Sequence, residues 1–111
     1  MSYSIIPTHT FSKELKRLAK KHRSIKADID ELGNQLEENP KIGDEVIENC
    51  YKIRMAISSK NKGKSGGARV ITYVYVAQET VFLLSIYDKG EQADIENHEL
   101  KALIESLGLE E

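Results

Sequence analysis

Six cations within residues 51–76 carry most of the chemistry that this sequence offers. Lys52 and Arg54 stand two apart in YKIRMAI, Lys60, Lys62 and Lys64 alternate through KNKGK, and Arg69 leads RVITYVYV. No acid falls in that window, and Lys89 follows a third apolar run, VFLLSIYD. Clusters of lysine and arginine bind phosphate through charge-assisted hydrogen bonds, and the arginine fork matches two phosphate oxygens at once. Gly66 and Gly67, in KSGGA, read as room for a polymer backbone to approach main-chain N–H groups. Such a cluster can also cleave RNA without a metal. The substrate's own 2′-OH attacks, a lysine crowded by other cations can accept its proton, and arginines hold the extra charge on the pentacoordinate phosphorus. DNA lacks that hydroxyl, so the reaction would be confined to RNA. The residues alone leave two other readings open. The cations could simply keep a β-hairpin soluble and block edge pairing, or they could bind nucleic acid without cutting it.

Other chemistries find little support. His9, His22 and His98 fall in three separate stretches, without the paired spacing of a metal site, so no metal is expected. His22 extends an apolar helical stripe and reads as a packing residue. Cys50 is the single cysteine; it can form no internal disulfide and reads as a buried thiol. GKSGG lacks P-loop spacing and precedes a strand where a phosphate loop needs a helix. No cofactor is expected.

The cations must be placed by the elements around them. Tyr3 to Ile6 is a short strand ended by Pro7. Thr8 or Thr10 can cap a helix along Phe11, Leu15, Leu18, Ala19 and His22, with Lys13, Lys16, Lys20 and Arg23 on its outer face. Ser24 can cap a second helix carrying Ile25, Ile29, Leu32 and Leu36, which Asn39-Pro40 stops. Residues 40–49 read as an acidic loop containing Gly43. Tyr51 to Ile57 alternates as a strand, with Lys52, Arg54 and Ala56 on one face and Tyr51, Ile53, Met55 and Ile57 on the other. Arg69 to Ala77 is a second strand, and the turn 77–80 leads to Val81–Tyr87, apolar on both faces and hence central. A polar connection precedes a last helix through Leu100, Leu103, Ile104 and Leu107, with Gly108 as its C-cap. The expected order, β-α-α-β-β-β-α, is one α+β domain over residues 1–111, a small mostly antiparallel sheet packed by a helical hairpin and a C-terminal helix. Hairpin pairing would bring Arg54, Arg69 and Lys89 within reach of one another.

The net charge of −2 conceals a segregated pattern. Residues 11–26 hold seven Lys/Arg and one acid, residues 27–50 one Lys and eight acids, and residues 77–111 two Lys and nine acids. No apolar run approaches the ~20 residues of a membrane span. The N-terminus has no signal-peptide pattern, so the cytoplasm is the expected compartment and no membrane partner is expected.

The stretches FSKELKRLAKKHRSIKADIDELGNQLEENPKIGD, YKIRMAISSKNKGKSGGARVITYVYV and VFLLSIYDKGEQADIENHELKAL resemble, over nearly the whole chain, the RelE/ParE superfamily of toxins. GKSGG-x-RVI with Tyr-x-Lys-x-Glu is similar to its HigB-like branch. The resemblance implies the toxin half of a type II toxin–antitoxin pair, with a helix-turn-helix antitoxin as partner. It implies a ribosome-dependent, metal-independent mRNA endonuclease that inhibits translation; ParE-like members share the fold and inhibit gyrase instead. By resemblance, the cationic catalytic positions fall on Lys52, Arg54, Arg69 and Lys89. The RNA contacts fall on Lys60, Lys62, Lys64, Gly66 and Gly67, with Tyr87 a further member. The sequence departs from relatives in three ways. It has Ala68 where a larger side chain is common and Asp88 where Ala is common. It closes on Leu107-Gly108-Leu109-Glu110-Glu111, without the catalytic Tyr or His that some relatives place there.

Overall fold

The computed structural model describes residues 2–109. β1 spans Ser4–Pro7, α1 His9–Ala19, α2 Ile25–Glu38, β2 Asp44–Ile47, β3 Cys50–Met55, β4 Ala68–Tyr75, β5 Thr80–Asp88 and α3 Asn97–Glu105. The five strands form one sheet in the order β1-β5-β4-β3-β2. Every pairing is antiparallel except β1 with β5, which is parallel.

α1 begins where Thr8 caps it. The Thr8 hydroxyl accepts from the Phe11 N–H and donates to the Leu83 carbonyl, so one side chain starts the helix and fastens it to β5. Ser24 sits at the N-cap of α2 without capping it by side chain; its hydroxyl donates to Asp28 and accepts from the Ser59 N–H instead. α1 and α2 bury Phe11, Leu18, Ile25, Ile29, Leu32 and Leu36 against Ile53, Met55, Val70, Val74, Val81, Leu83 and Ile86. α3 covers the opposite face, where Leu100 packs with Cys50, Ile71, Leu84 and Tyr87. β5 is therefore buried on both sides, as its sequence requires.

Two features depart from the expected order. The acidic stretch read as a loop contains β2, an edge strand paired with β3 through Asp44↔Lys52 and Glu45↔Tyr51. It is short, half acidic and irregular between Glu45 and Ile47, so neither β-propensity nor alternation marks it. The second departure is a bulge. Opposite Ile71 and Thr72, β5 offers Ser85 and then Leu83, one residue more than β4. Leu83 and Ile86, three apart, consequently face the same helical layer. Tyr87 is thereby turned onto the α3 face; strict alternation from Leu83 would have sent it to the other.

Candidate phosphate-binding site

β3, β4 and β5 bring three of the expected residues into one row. Arg54 lies opposite Arg69, and Arg69 opposite Tyr87. All three belong to the α3 face, because Cys50 on β3, Ile71 on β4 and Tyr87 itself pack there. Lys52 is two residues along β3 on the same face. Lys89 leaves the end of β5, and its backbone N–H donates to the Gly67 carbonyl (3.0 Å), which fixes the loop against that strand end.

The members differ in how they are held. Arg54 is exposed and, among the described residues, has no hydrogen-bond or ion-pair partner. Arg69 is buried, and its guanidinium donates to the carbonyls of Lys64 (2.9 Å) and Ala68 (3.2 Å). It therefore shapes the 61–67 loop as well as charging the row. Lys52 Nζ pairs with Asp94 Oδ1 at 3.1 Å, the Tyr87 hydroxyl lies 3.5 Å from the same oxygen, and Lys89 Nζ donates to the Ala93 carbonyl at 2.9 Å. Burial and the nearby Asp94 carboxylate push the Tyr87 phenol up to about 12, so it stays a neutral donor at physiological pH. The Ile95 N–H and the Lys52 ammonium hold the Asp94 carboxyl below its usual range.

The loop residues divide. Lys62 and Lys64 are exposed. Lys60 points away from the row and pairs with Asp88 Oδ1 at 3.0 Å. Gly67 is buried, and a Cβ there would lie 2.1 Å from the Met55 carbonyl oxygen, so its lack of a side chain serves the approach of two strands. At Gly66 an added Cβ would lie 2.8 Å from the Lys62 Cβ, so the loop backbone would have to shift to admit it.

Asp94 escaped the sequence reading, which marked Asp88 only as a departure from relatives. Asp88 is buried on the hairpin side, where it also accepts from the Gly90 N–H (2.9 Å) and contacts His22 Nε2 (2.9 Å). Burial pushes its carboxyl up, but Gly90, Lys60 and His22 outweigh that and hold it below the usual range. Facing away from the row, Asp88 clamps the turn after α1, the Ser58–Lys60 turn and the turn after β5. Asp94 lies in a polar connection with no periodicity, and no sequence signal singled it out. His22 is half-buried but lies beyond the end of α1, so the helical stripe stops short of it and its ring contacts Asp88 instead. Among the described residues, no group of His, Cys, Asp and Glu could hold a metal ion, and no helix is long and apolar enough to cross a membrane.

A family model described as the RelE toxin of the RelE/RelB toxin–antitoxin system matches residues 5–107. Solved structures share the fold. The isolated E. coli RelE toxin superposes with a TM-score of 0.61 at 19% identity, over 94% of this chain and 98% of that one. An E. coli RelE double mutant bound to a peptide of the antitoxin RelB gives 0.61 at 20% identity, over 92% and 93%. The RelBE2 toxin–antitoxin complex of Mycobacterium tuberculosis gives 0.57 at 18%, over 79% and 99%.

Proposed function

Because the chain belongs to the RelE toxin family of toxin–antitoxin systems, we propose that it is a ribosome-dependent mRNA endonuclease held in check by a cognate antitoxin. One observation carries this reading: Arg54, Arg69 and Tyr87 form a single cross-strand row, flanked by Lys52 and Lys89. In the reaction, the 2′-OH of the message loses its proton and its oxygen bonds to the adjacent phosphorus. The bond from phosphorus to the 5′-oxygen breaks, and that oxygen takes up a proton. Arg54 and Arg69 hold the charge that accumulates on the phosphoryl oxygens. Tyr87 supplies a neutral hydrogen bond. Lys62 and Lys64 draw the strand toward the row.

Dependence on the ribosome follows from what the row lacks. None of its members is a histidine or an unpaired carboxylate, so in-line placement of the phosphate by the ribosome must supply much of the rate, an effect worth several kcal/mol. The cations of α1 offer a surface for its RNA. An antitoxin partner is supported by the E. coli and M. tuberculosis relatives, whose structures contain one.

The test is induced expression of the protein alone, with mRNA 5′ ends mapped during growth arrest. Arg54→Ala is the matched variant, since Arg54 is exposed and partnerless among the described residues and its loss should leave the fold intact. New ends inside translated codons, absent with Arg54→Ala, are the expected result. An Arg54→Ala protein as toxic as the parent overturns the site. DNA breaks with intact messages would transfer the reading to gyrase inhibition.

A further inference from the structure

The segment 90–96, between β5 and α3, engages the site at several points. Asp94 Oδ1 sits 3.1 Å from Lys52 Nζ and 3.5 Å from the Tyr87 hydroxyl, and it accepts from the Ile95 N–H at 2.8 Å. Ala93 takes the Lys89 ammonium at 2.9 Å. Glu91, one turn earlier, pairs with Arg17 at 3.3 Å and with Lys21, both on or just beyond α1. Three residues assigned to the phosphate, Lys52, Tyr87 and Lys89, thus spend their polar tips on Ala93 and Asp94. Only Ile95 of this segment is partly buried; the remainder is exposed and lacks regular structure. Ion pairs at the surface are weak, and salt screens them. Beyond the Glu91 and Gln92 N–H bonds to the Asp88 carbonyl and the packing of Ile95, the segment is held by charge, at cations that a polyanion also seeks.

We propose that residues 90–96 form an electrostatic strap over the phosphate site, with Asp94 occupying the place of a phosphate of single-stranded RNA. The inference rests on the RNA-binding reading of the preceding subsection. Bound RNA displaces the carboxylate from Lys52 and Tyr87, and the strap loosens. Free protein and RNA-bound protein then differ at 90–96 while the sheet stays unchanged. The carboxylate lowers affinity for every RNA equally, because it competes for backbone contacts alone.

Fluorescence anisotropy with a 2′-O-methyl oligonucleotide, which cannot be cleaved, reads the competition. Asp94→Asn retains an oxygen for the Ile95 N–H and removes the charge. It should tighten binding about three- to tenfold at about 100 mM salt and steepen the log–log salt slope by about 0.7, one more phosphate neutralised. Glu38→Gln, at the end of α2, makes the same change in net charge away from the site and should leave affinity unchanged. Asp94→Asn binding like the parent, or no tighter than Glu38→Gln, overturns the strap. Weaker binding overturns it too, since the carboxylate would then assist RNA. Hydrogen exchange of 90–96 in the free protein, with and without inorganic pyrophosphate, keeps the two claims apart. Faster exchange with pyrophosphate is expected, and unchanged exchange overturns the strap whether or not RNA binds. If exchange quickens but no variant binds RNA, the RNA reading fails and the strap over an anion site stands.

Discussion

Replacing Asp88 by alanine removes a carboxylate that ties three segments together behind the site. Its side chain is 5% exposed, and it faces Lys60, His22 and the Gly90 N–H. Deleting one partner of a buried ion pair costs about 3–5 kcal/mol, because the other charge is left without compensation. Lys60 is 19% exposed on its side chain and can swing its ammonium partly into water, which reduces the expected loss to about 2–4 kcal/mol. At about 4 °C per kcal/mol for a domain of this size, the melting temperature should fall by about 8–16 °C. Asp88→Asn retains an acceptor and should lose about half as much. The pH dependence has a fixed sign. The carboxyl titrates lower when folded than its ordinary 3.8, so its stabilisation is present above that value and disappears as pH falls through the folded value. Thermal and urea unfolding at pH 7 and at pH 3, on the parent and both variants, provide the measurement. The gap between parent and Asp88→Ala should narrow at the lower pH. A variant that melts within about 2 °C of the parent at neutral pH would show that the clamp holds nothing.

Gly67→Ala places a Cβ 2.1 Å from the Met55 carbonyl oxygen; backbone must shift, and urea unfolding should report a loss of about 3 kcal/mol or more. Glu14 accepts from the Ile86 N–H, which lies beyond the last β1 pairing at Leu83, and from the Ser85 hydroxyl. Glu14→Ala should therefore cost about 1–3 kcal/mol by leaving that N–H unpaired. Burial raises the Glu14 carboxyl above its ordinary 4.5 despite its bonds to Ser85 and Ile86 and the nearby Arg17. The parent should accordingly lose stability relative to Glu14→Gln as pH rises from that value through the folded one; parallel unfolding curves across this range would refute the assignment.

Much of the architecture could be read from periodicity. The helices announced themselves through Phe11, Leu18, Ile29 and Leu36, all of them buried, because a helix packed on a sheet needs one apolar stripe. The alternation from Tyr51 to Met55 correctly divided β3 between its faces, and the pairing of Arg54 with Arg69 follows from that division. What stayed hidden was set by partners distant in the chain. β2 exists because β3 offers it an edge, and an acidic tetrapeptide carries no pattern of its own. The bulge that turns Tyr87 toward Arg69 is a property of two strands in register. The pairing of Asp88 with Lys60 and His22, and of Asp94 with Lys52, joins residues 28, 66 and 42 positions apart. Contacts over such separations leave no local signature.

The parallel pairing of β1 has a consequence for how the chain comes to be folded. Ser4 lies opposite Thr80, 76 residues later, and α1 packs on that same strand. Closing a loop of this length costs roughly 4 kcal/mol of chain entropy before any contact offsets it. The first elements to leave the ribosome therefore lack the strand that pairs with β1 and holds the Thr8 cap until β5 emerges. The more local pairings of the β3–β4–β5 meander are expected to precede the pairing of β1 with β5. Arg54, Arg69 and Tyr87 all lie on that meander, so the row is complete only once β5 has been made. A chain cut short before Thr80 has Arg54 and Arg69 but lacks Tyr87 and the strand on which its N-terminal half must dock.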